Sequence, residues 1–185
     1  MNDTFDLLTS SVSKGVLVFL TENHDKDKNV AKRIVAETGF SRKGVHDALK
    51  KLTASRLVLY RQIGRSKVYE INSSQPVIRQ FKVLRNIIQI IPLVDKLKKF
   101  TGRIILYGSC SRGEDTAESD IDLAVITEVL DHEEVKSILA SFRSKRKINA
   151  GIFTRLKYLE LERKDIVYYR EIDRGISLWE GKNER

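Results

Sequence analysis

Cysteine and long apolar runs are almost missing from this sequence. Its 185 residues include one cysteine, Cys110, so no internal disulfide can form, which indicates a reducing compartment. No run of residues is long and apolar enough to cross a bilayer, and the N-terminal MNDTFDLLTSS has neither the basic start nor the apolar centre of a signal peptide. We therefore expect a cytoplasmic protein that does not contact membranes.

Acidic residues are also relatively few. The chain has 25 Asp and Glu against 34 Lys and Arg, which gives a formal net charge of +9, and basic residues are in excess on both sides of residue 75. This balance favours polyanionic partners, either nucleic acid or nucleotides. A hydrophobic fraction of 41% with 32% charged residues excludes a disordered chain. The length suits two compact domains, each with a modest core.

The most informative segment runs from Ile104 to Thr127. Its apolar start predicts a strand that leads into Gly108-Ser109, where the missing Cβ of Gly108 lets a ligand approach the backbone. A helix beginning at Ser109 would turn its unpaired N–H groups toward the same point, and such a helix end binds anions such as phosphate. The segment therefore predicts a strand, a phosphate-binding loop, a short helix and a second strand.

Two aspartates lie at the start of that second strand. Because side chains alternate along a strand, Asp120 and Asp122 share one face, while the apolar residues beside them face the core. Two carboxylates beside a phosphate loop form a site for a hard cation of the Mg²⁺ type. The alternative is that both aspartates only cap a turn and cover an exposed strand.

Together these residues resemble the polymerase-β-like nucleotidyltransferase superfamily, in particular its small, minimal members. The pattern consists of Gly108-Ser109, Arg112-Gly113 and Ser119-Asp120-Ile121-Asp122-Leu123, and the resemblance covers about the last hundred residues. It implies a mixed sheet and Mg²⁺, with Mn²⁺ as the alternative, held by Asp120 and Asp122. It also implies a nucleoside triphosphate whose phosphates lie over Gly108, Ser109 and Arg112.

Asn149 is the position where the chain departs from that family. Active members usually carry a third carboxylate on a later strand, and the matching place, Ile148-Asn149-Ala150, offers an amide. We assign Asn149 to this catalytic position, although an amide cannot take a proton at neutral pH. Nucleotide and metal binding are therefore expected, and transfer is an open question. The basic run at 143–147 is interpreted as a solvated turn, with contact to nucleotide phosphates or RNA as the alternative.

The N-terminal region predicts three helices and a hairpin. Apolar residues at helical spacing predict a first helix from about Thr9 to Glu22, and Asn29 and Ser41 are expected to cap a second and a third. Two runs with strand-like alternation, 57–62 and 67–71, are joined by a turn and predict a hairpin. Three helices followed by a basic hairpin resemble a winged helix-turn-helix domain.

That resemblance implies contact with double-stranded DNA. In such domains the third helix enters the major groove, and the hairpin contacts the backbone or the minor groove. The residues expected at this surface are Arg42, Lys43, His46 and Lys50 on the helix and Arg61, Arg65 and Lys67 on the hairpin. The alternative is a protein-docking domain whose basic face is only solvated.

A connector follows at residues 75–102. A helical period of apolar residues begins after Pro76 and is expected to bend or restart at Pro92. Its apolar face is wider than one small domain needs. We expect this face to pack on the catalytic sheet, on the other domain or on a second subunit, with a homodimer as the first choice.

The expected architecture is α+β, with a winged helix-turn-helix domain at 1–74, a connector helix at 75–102 and a nucleotidyltransferase-like domain at 103–185. Two functions follow from it. The first is a nucleotidyltransferase that transfers a nucleoside monophosphate to the hydroxyl of a small molecule, a protein or an RNA end. The second is a DNA-binding regulator, or an antitoxin-like protein with a toxin-like partner, whose degenerate transferase domain senses nucleotide.

Overall fold

The computed structural model describes residues 3–23, 26–128 and 131–181. The chain divides into two compact units, Met1–Arg79 and Gln80–Arg185, and the division falls within a helix. Within the described ranges, no helix has both the length and the apolar character that crossing a bilayer requires.

The first unit contains four helices and a hairpin within its described part. Helices α1 to α4 span Asp3–Thr9, Ser11–Glu22, Ala31–Thr38 and Arg42–Ala54, with a 3-10 turn at Lys26–Lys28, and the antiparallel strands β1 and β2 span Val58–Ile63 and Ser66–Ile71. The three predicted helices and the hairpin are confirmed. Helix α1 is additional, because seven residues are too few to show a helical period.

Helix α4 has the cap and the buried stripe that its sequence predicts. The side-chain oxygen of Ser41 accepts a hydrogen bond from the amide of Gly44 (3.1 Å), which satisfies one of the unpaired N–H groups of the first turn. The buried residues of α4 are Val45, Ala48, Leu49 and Leu52. The basic face of α4 lies opposite this stripe and is exposed to solvent.

The predicted helix cap at Asn29 is wrong. Helix α3 begins at Ala31 after Val30, and only 1% of the surface of Asn29 is exposed. The carbonyl of Asn29 accepts a hydrogen bond from the amide of Tyr69 (2.9 Å), and Val30 forms a β-bridge with Val68. This short segment therefore pairs with the hairpin, and the pairing fixes where α3 begins.

The second unit is built on a four-stranded mixed sheet. Helix α5 (Pro76–Leu97) begins in the first unit and continues into the second. Strands β3 to β6 span Arg103–Tyr107, Ile121–Ile126, Ile148–Phe153 and Ile176–Glu180, and helices α6 to α9 span Gly108–Arg112, His132–Ser141, Arg155–Lys164 and Ile166–Asp173. The strand order is β5-β4-β3-β6, in which β4 and β5 are parallel and the other pairs are antiparallel. The predicted α+β class with a mixed sheet is confirmed.

Helix α5 continues through Pro92, so the predicted restart at this residue is wrong. Pro92 is exposed, and so is Ile88 one turn earlier. The carbonyl of Ile88 loses its usual amide partner at Pro92, but it lies on the side of the helix where water can replace that partner. The helix therefore tolerates the proline.

Both faces of the sheet carry a core. The larger core is formed by residues of β3 and β4 with α5 and α7, including Ile104, Leu106, Ile121, Leu123, Val125, Leu97 and Val135. The smaller core, on the other face, contains Ile105, Ala124, Ile126, Tyr158 and Ile172. Asp122 lies on the same face of β4 as Ala124 and Ile126. It is therefore half-buried at the margin of the smaller core. The interpretation of an exposed, decorated strand is therefore wrong.

Candidate active site

The turn from β3 into α6 brings the backbone against Asp122. Gly108 has a φ of +70°, a conformation that glycine adopts readily and other residues rarely. A Cβ added to Gly108 would lie 2.6 Å from Oδ2 of Asp122, which is too close for two such atoms. Glycine is therefore required by the backbone and by the space that Asp122 occupies. Ser109 follows as the second, half-buried residue of α6.

The structure brings Asp120, Asp122 and Asn149 together. Asp122 and Asn149 are direct neighbours on the parallel strands β4 and β5. The Nδ2 atom of Asn149 donates a hydrogen bond to Oδ2 of Asp120 (2.9 Å) and a longer one to Oδ1 of Asp122 (3.4 Å). A single amide thus bridges the two carboxylates that the sequence singled out.

The electrostatic surroundings of Asp122 favour a cation. Burial raises the pKa of the Asp122 carboxyl, and the negative charges of Asp120 and Glu171 act in the same direction. The hydrogen bond from Asn149 and the charge of Arg146 oppose this change. A bound cation would compensate both the lost hydration and the repulsion, so the carboxylate has the character of a metal ligand.

The donor set at this place fits Mg²⁺. This ion prefers oxygen ligands and is usually held by one or two carboxylates together with water and substrate phosphates. Asp120 and Asp122 supply carboxylates, and Asn149 would offer its amide oxygen after a half-turn of the amide group, whose two orientations have nearly the same shape. Within the described residues, no group of three or more His, Cys, Asp or Glu side chains is placed to hold a metal. A metal at this place would therefore depend on the two carboxylates.

Arg112, a predicted nucleotide contact, is engaged with two carboxylates. Its Nε donates to Oε2 of Glu114 (2.9 Å) and its Nη1 to Oε1 of Glu171 (2.5 Å). These two bonds, that to Glu114 first, raise the pKa of Arg112. The side chain is 48% exposed. Contact with a phosphate would require Arg112 to exchange these partners.

Lys147, the last residue of the basic run at 143–147, reaches the site. Its Nζ lies 3.3 Å from Oδ2 of Asp120, and its side chain is 72% exposed. So exposed an ion pair contributes little to stability. Lys147 can therefore turn from Asp120 to another anion, such as a phosphate, at little cost.

A buried polar cluster lies behind Asp120 and was not predicted from the sequence. It comprises Lys82 and Asn86 of α5, Cys110 of α6, Asp115 and Arg146. The side chain of Arg146 is 8% exposed, so the interpretation of a solvated turn is wrong for this residue. Burial raises the pKa of the Cys110 thiol, so Cys110 is not a reactive nucleophile. One feature of the sequence could have indicated this cluster. Lys82 and Asn86 are polar residues one helical turn apart among the regularly spaced apolar residues of α5.

Two tyrosines add hydroxyl groups close to the aspartates. Tyr107 is the β3 neighbour of Asp122, and its hydroxyl lies 3.1 Å from that of Tyr168 on α9. Burial, and then the hydrogen bond with Tyr168, raises the pKa of Tyr107. The Tyr107 hydroxyl is therefore a neutral hydrogen-bonding group at neutral pH. No sequence pattern indicated Tyr168, which comes from a distant helix.

The first unit exposes all seven residues predicted to contact DNA. Three of them, His46, Arg65 and Lys67, line a groove of about 460 Å³ together with Lys32 and Tyr69. This groove lies between α4 and the hairpin. The structure thus places His46 of α4 and the cations Arg65 and Lys67 of the hairpin along one concave surface.

Two of the hairpin cations have partners within the first unit. Arg61 forms an ion pair with Asp27. The Nζ atom of Lys67 lies 4.2 Å from the ring centroid of Tyr60, a cation–π contact that keeps the charge near the surface. Lys67 is therefore held in position while its charge stays available to a polyanion.

Comparison with known families assigns the second unit. The family model described as "Polymerase beta, Nucleotidyltransferase" matches residues 85–184, more than half of the chain. This range contains Gly108, both aspartates and Asn149. No individual curated protein matches the chain. The chain therefore belongs to the polymerase beta nucleotidyltransferase family.

Proposed function

We propose that the protein is a Mg²⁺-dependent nucleotidyltransferase that transfers a nucleoside monophosphate from a nucleoside triphosphate to an acceptor hydroxyl. The observation that carries this proposal is the meeting of Asp120, Asp122 and Asn149 beside the backbone at Gly108. Membership of the family supports the reaction class. Mn²⁺ is the alternative metal, because its ligand preferences are similar.

Each residue of the site has a distinct task in this proposal. Asp120 and Asp122 would hold the metal, which supplies charge stabilisation for the transferred phosphoryl group and the leaving pyrophosphate. The backbone at Gly108 and Ser109 would receive the triphosphate, with positive charge from Arg112 and Lys147. The acceptor would be a small molecule, a protein hydroxyl or an RNA end.

Asn149 limits the chemistry and supports a second candidate function. Its amide orients the carboxylates but cannot take the proton of the acceptor hydroxyl. If no other group serves as a base, the second unit would bind nucleotide without transferring it. The protein would then be a nucleotide-sensing DNA-binding regulator, or an antitoxin-like protein acting on a toxin-like partner.

We further propose that the first unit is a winged helix-turn-helix domain that binds double-stranded DNA. Helix α4 would enter the major groove, and the hairpin would contact the backbone or the minor groove. The exposed cations Arg65 and Lys67, which line one groove together with His46, support this proposal. Docking of another protein on the same face is the alternative.

Two properties of the whole protein complete the proposal. A homodimer through α5 is supported by three exposed apolar side chains at i, i+4 and i+7, namely Leu84 (56%), Ile88 (58%) and Ile91 (45%). A cytoplasmic location is supported by the single, buried, unpaired Cys110.

The decisive experiment is incubation with α-labelled nucleoside triphosphates, Mg²⁺ and cell extract, with the Asp122→Asn variant as control. Label transfer by the wild type that the variant lacks would support the enzyme. Metal-dependent nucleotide binding without transfer would favour the regulator. Absence of both binding and transfer would contradict both candidates.

A further inference from the structure

Arg146 uses every donor of its guanidinium group. Its Nε donates to the carbonyl of Ser119 (2.7 Å). Its Nη1 donates to Oδ1 of Asn86 (3.1 Å) and Oδ2 of Asp115 (3.0 Å), and its Nη2 to Sγ of Cys110 (2.8 Å) and the carbonyl of Asp120 (3.3 Å). A guanidinium has five N–H groups in a fixed fork, and all five have an acceptor here.

Two of these five bonds fix the backbone that carries a metal-binding aspartate. They reach the carbonyls of Ser119 and Asp120, the two residues that precede β4. The Asp120 carbonyl also accepts from the Cys110 thiol (3.2 Å), and the carbonyl of Lys147 accepts from the amide of Ile121 (2.9 Å). Arg146 and Lys147 thus clamp the backbone on both sides of Asp120.

The other bonds anchor Arg146 itself. Asp115, whose side chain is 1% exposed, forms an ion pair with Arg146, and Lys82 donates to the backbone carbonyl of Asp115. Asn86 connects Asp115 with Arg146, because its amide nitrogen donates to Oδ1 of Asp115 (3.1 Å) and its amide oxygen accepts from Nη1 of Arg146. A buried charge is costly unless it is paired and fully hydrogen-bonded, and Arg146 meets both conditions.

We propose that Arg146 is a positioning residue that sets the direction of the Asp120 carboxylate toward the metal. Because this role concerns the metal site, it rests on the function proposed above. Arginine is needed because a lysine has a single nitrogen and cannot reach Ser119, Asp120 and Asp115 together. Residues that orient metal ligands from behind typically change metal affinity about 10–100-fold when replaced.

The test compares Arg146→Lys with Lys82→Met. Lys82 belongs to the same buried cluster, but the contacts found for it are with Asp115 and none is with the Ser119–Asp120 backbone. Mn²⁺ affinity is measured by the loss of the free-ion electron paramagnetic resonance signal, and unfolding temperature is measured in parallel. We expect Arg146→Lys to weaken Mn²⁺ binding at least about tenfold, and Lys82→Met to leave it near the wild-type value even if both variants are destabilised.

Two outcomes overturn the proposal. The first is wild-type Mn²⁺ affinity in Arg146→Lys, and the second is an equal loss in both variants, which would make the cluster purely structural. If Arg146→Lys does not fold, the Asp115→Asn variant is measured instead. Asparagine keeps the shape of the Asp115 side chain but removes the charge that pairs with Nη1 of Arg146. Unchanged Mn²⁺ affinity in that variant would also overturn the proposal.

An Asp122→Ala control separates this failure from that of the proposed function. If the wild type and Asp122→Ala bind Mn²⁺ equally, the metal site is wrong, and the role of Arg146 falls with it. If Asp122→Ala loses Mn²⁺ and Arg146→Lys keeps it, the proposed function stands and only the role of Arg146 is refuted.

Discussion

Asn149 stands opposite Asp122 on the neighbouring parallel strand, and its amide nitrogen lies 2.9 Å from Oδ2 of Asp120 and 3.4 Å from Oδ1 of Asp122. The amide therefore occupies the place from which a third carboxylate would complete the site. In this arrangement its N–H group compensates part of the repulsion between the two aspartates. The amide cannot accept a proton at neutral pH. Asn149 therefore stabilises the site but cannot act as the base for an acceptor hydroxyl.

Replacing Asn149 with aspartate is expected to increase nucleotidyl transfer. The new carboxylate can accept the proton of the attacking hydroxyl, and such general-base help is typically worth about 10²–10⁴-fold in rate. It should also strengthen metal binding, because hard cations prefer carboxylate to amide oxygen. The measurement is transfer from α-labelled nucleoside triphosphates in cell extract by the wild type, Asn149→Asp and Asn149→Ala.

Two results would contradict this prediction in different ways. If the wild type transfers well and Asn149→Asp changes nothing, another group acts as the base. If Asn149→Asp binds nucleotide and still fails to transfer, the acceptor site has degenerated, and the regulator becomes the better interpretation.

Removing the charge of Asp122 is expected to stabilise the metal-free protein at neutral pH. Because burial raises the pKa of this carboxyl, the folded chain holds the proton more readily than the unfolded chain. The contribution of this carboxyl to the free energy of unfolding is fully present below its ordinary pKa of about 3.9. It is lost as the pH rises through the raised pKa of the folded chain. Asp122→Asn avoids this loss.

The measurement is thermal unfolding of the wild type and Asp122→Asn in EDTA, from about pH 4 to about pH 8. The variant should be the more stable protein at neutral pH, and the difference should shrink toward acid. A variant that is less stable at neutral pH would show that the Asn149 hydrogen bond outweighs the burial of the charge.

Gly108→Ala is expected to remove metal binding. The new Cβ would lie 2.6 Å from Oδ2 of Asp122, so the carboxylate must move, and the φ of +70° adds backbone strain of about 1–2 kcal/mol. Gly39→Ala is the matched control, because Gly39 has a φ of +72° and nothing within 4 Å of an added Cβ. Calorimetric titration with Mn²⁺ should show wild-type affinity for Gly39→Ala and none for Gly108→Ala. Equal affinity in both variants would mean that Asp122 is not a ligand.

Local patterns in the sequence predicted much of the fold and part of the site. The glycine turn, the alternation of Asp120 and Asp122, and the strand of Asn149 lie within segments whose spacing alone indicates structure. The cap of α4 at Ser41 is equally local and was predicted correctly. The error at Asn29 arose because a β-bridge to Val68, a contact distant in sequence, determines where α3 begins.

The buried cluster behind the site could not be predicted for the same reason. Arg146 contacts Asp115 across 31 residues and Asn86 across 60, and no local spacing connects these positions. In the sequence, Arg146 is one of several cations in a polar run. Only the fold distinguishes it from its exposed neighbours Arg143 and Lys145.

Ile88→Lys is expected to convert a dimer into a monomer. Ile88 lies between Leu84 and Ile91 on an exposed apolar stripe of α5, and its own side chain is 58% exposed, so a lysine fits without disturbing the core. Leu156→Lys on α8 is the control, because Leu156 is 68% exposed and lies on a different helix. Sedimentation equilibrium should show dimers for the wild type and the control and monomers for Ile88→Lys. A monomeric wild type would refute the dimer.

Removing one cation of the hairpin is expected to weaken DNA binding and reduce its salt dependence. Each phosphate contact that is lost should lower the slope of log affinity against log salt by about one unit, and Lys67 and Arg65 line the groove that would face the duplex. Arg61→Ala should have the smaller effect, because Arg61 forms an ion pair with Asp27 and would have to break it to bind phosphate. The measurement is a gel-shift titration with duplex DNA at several salt concentrations. No binding by the wild type at about 50 mM salt, where such contacts are strongest, would favour protein docking.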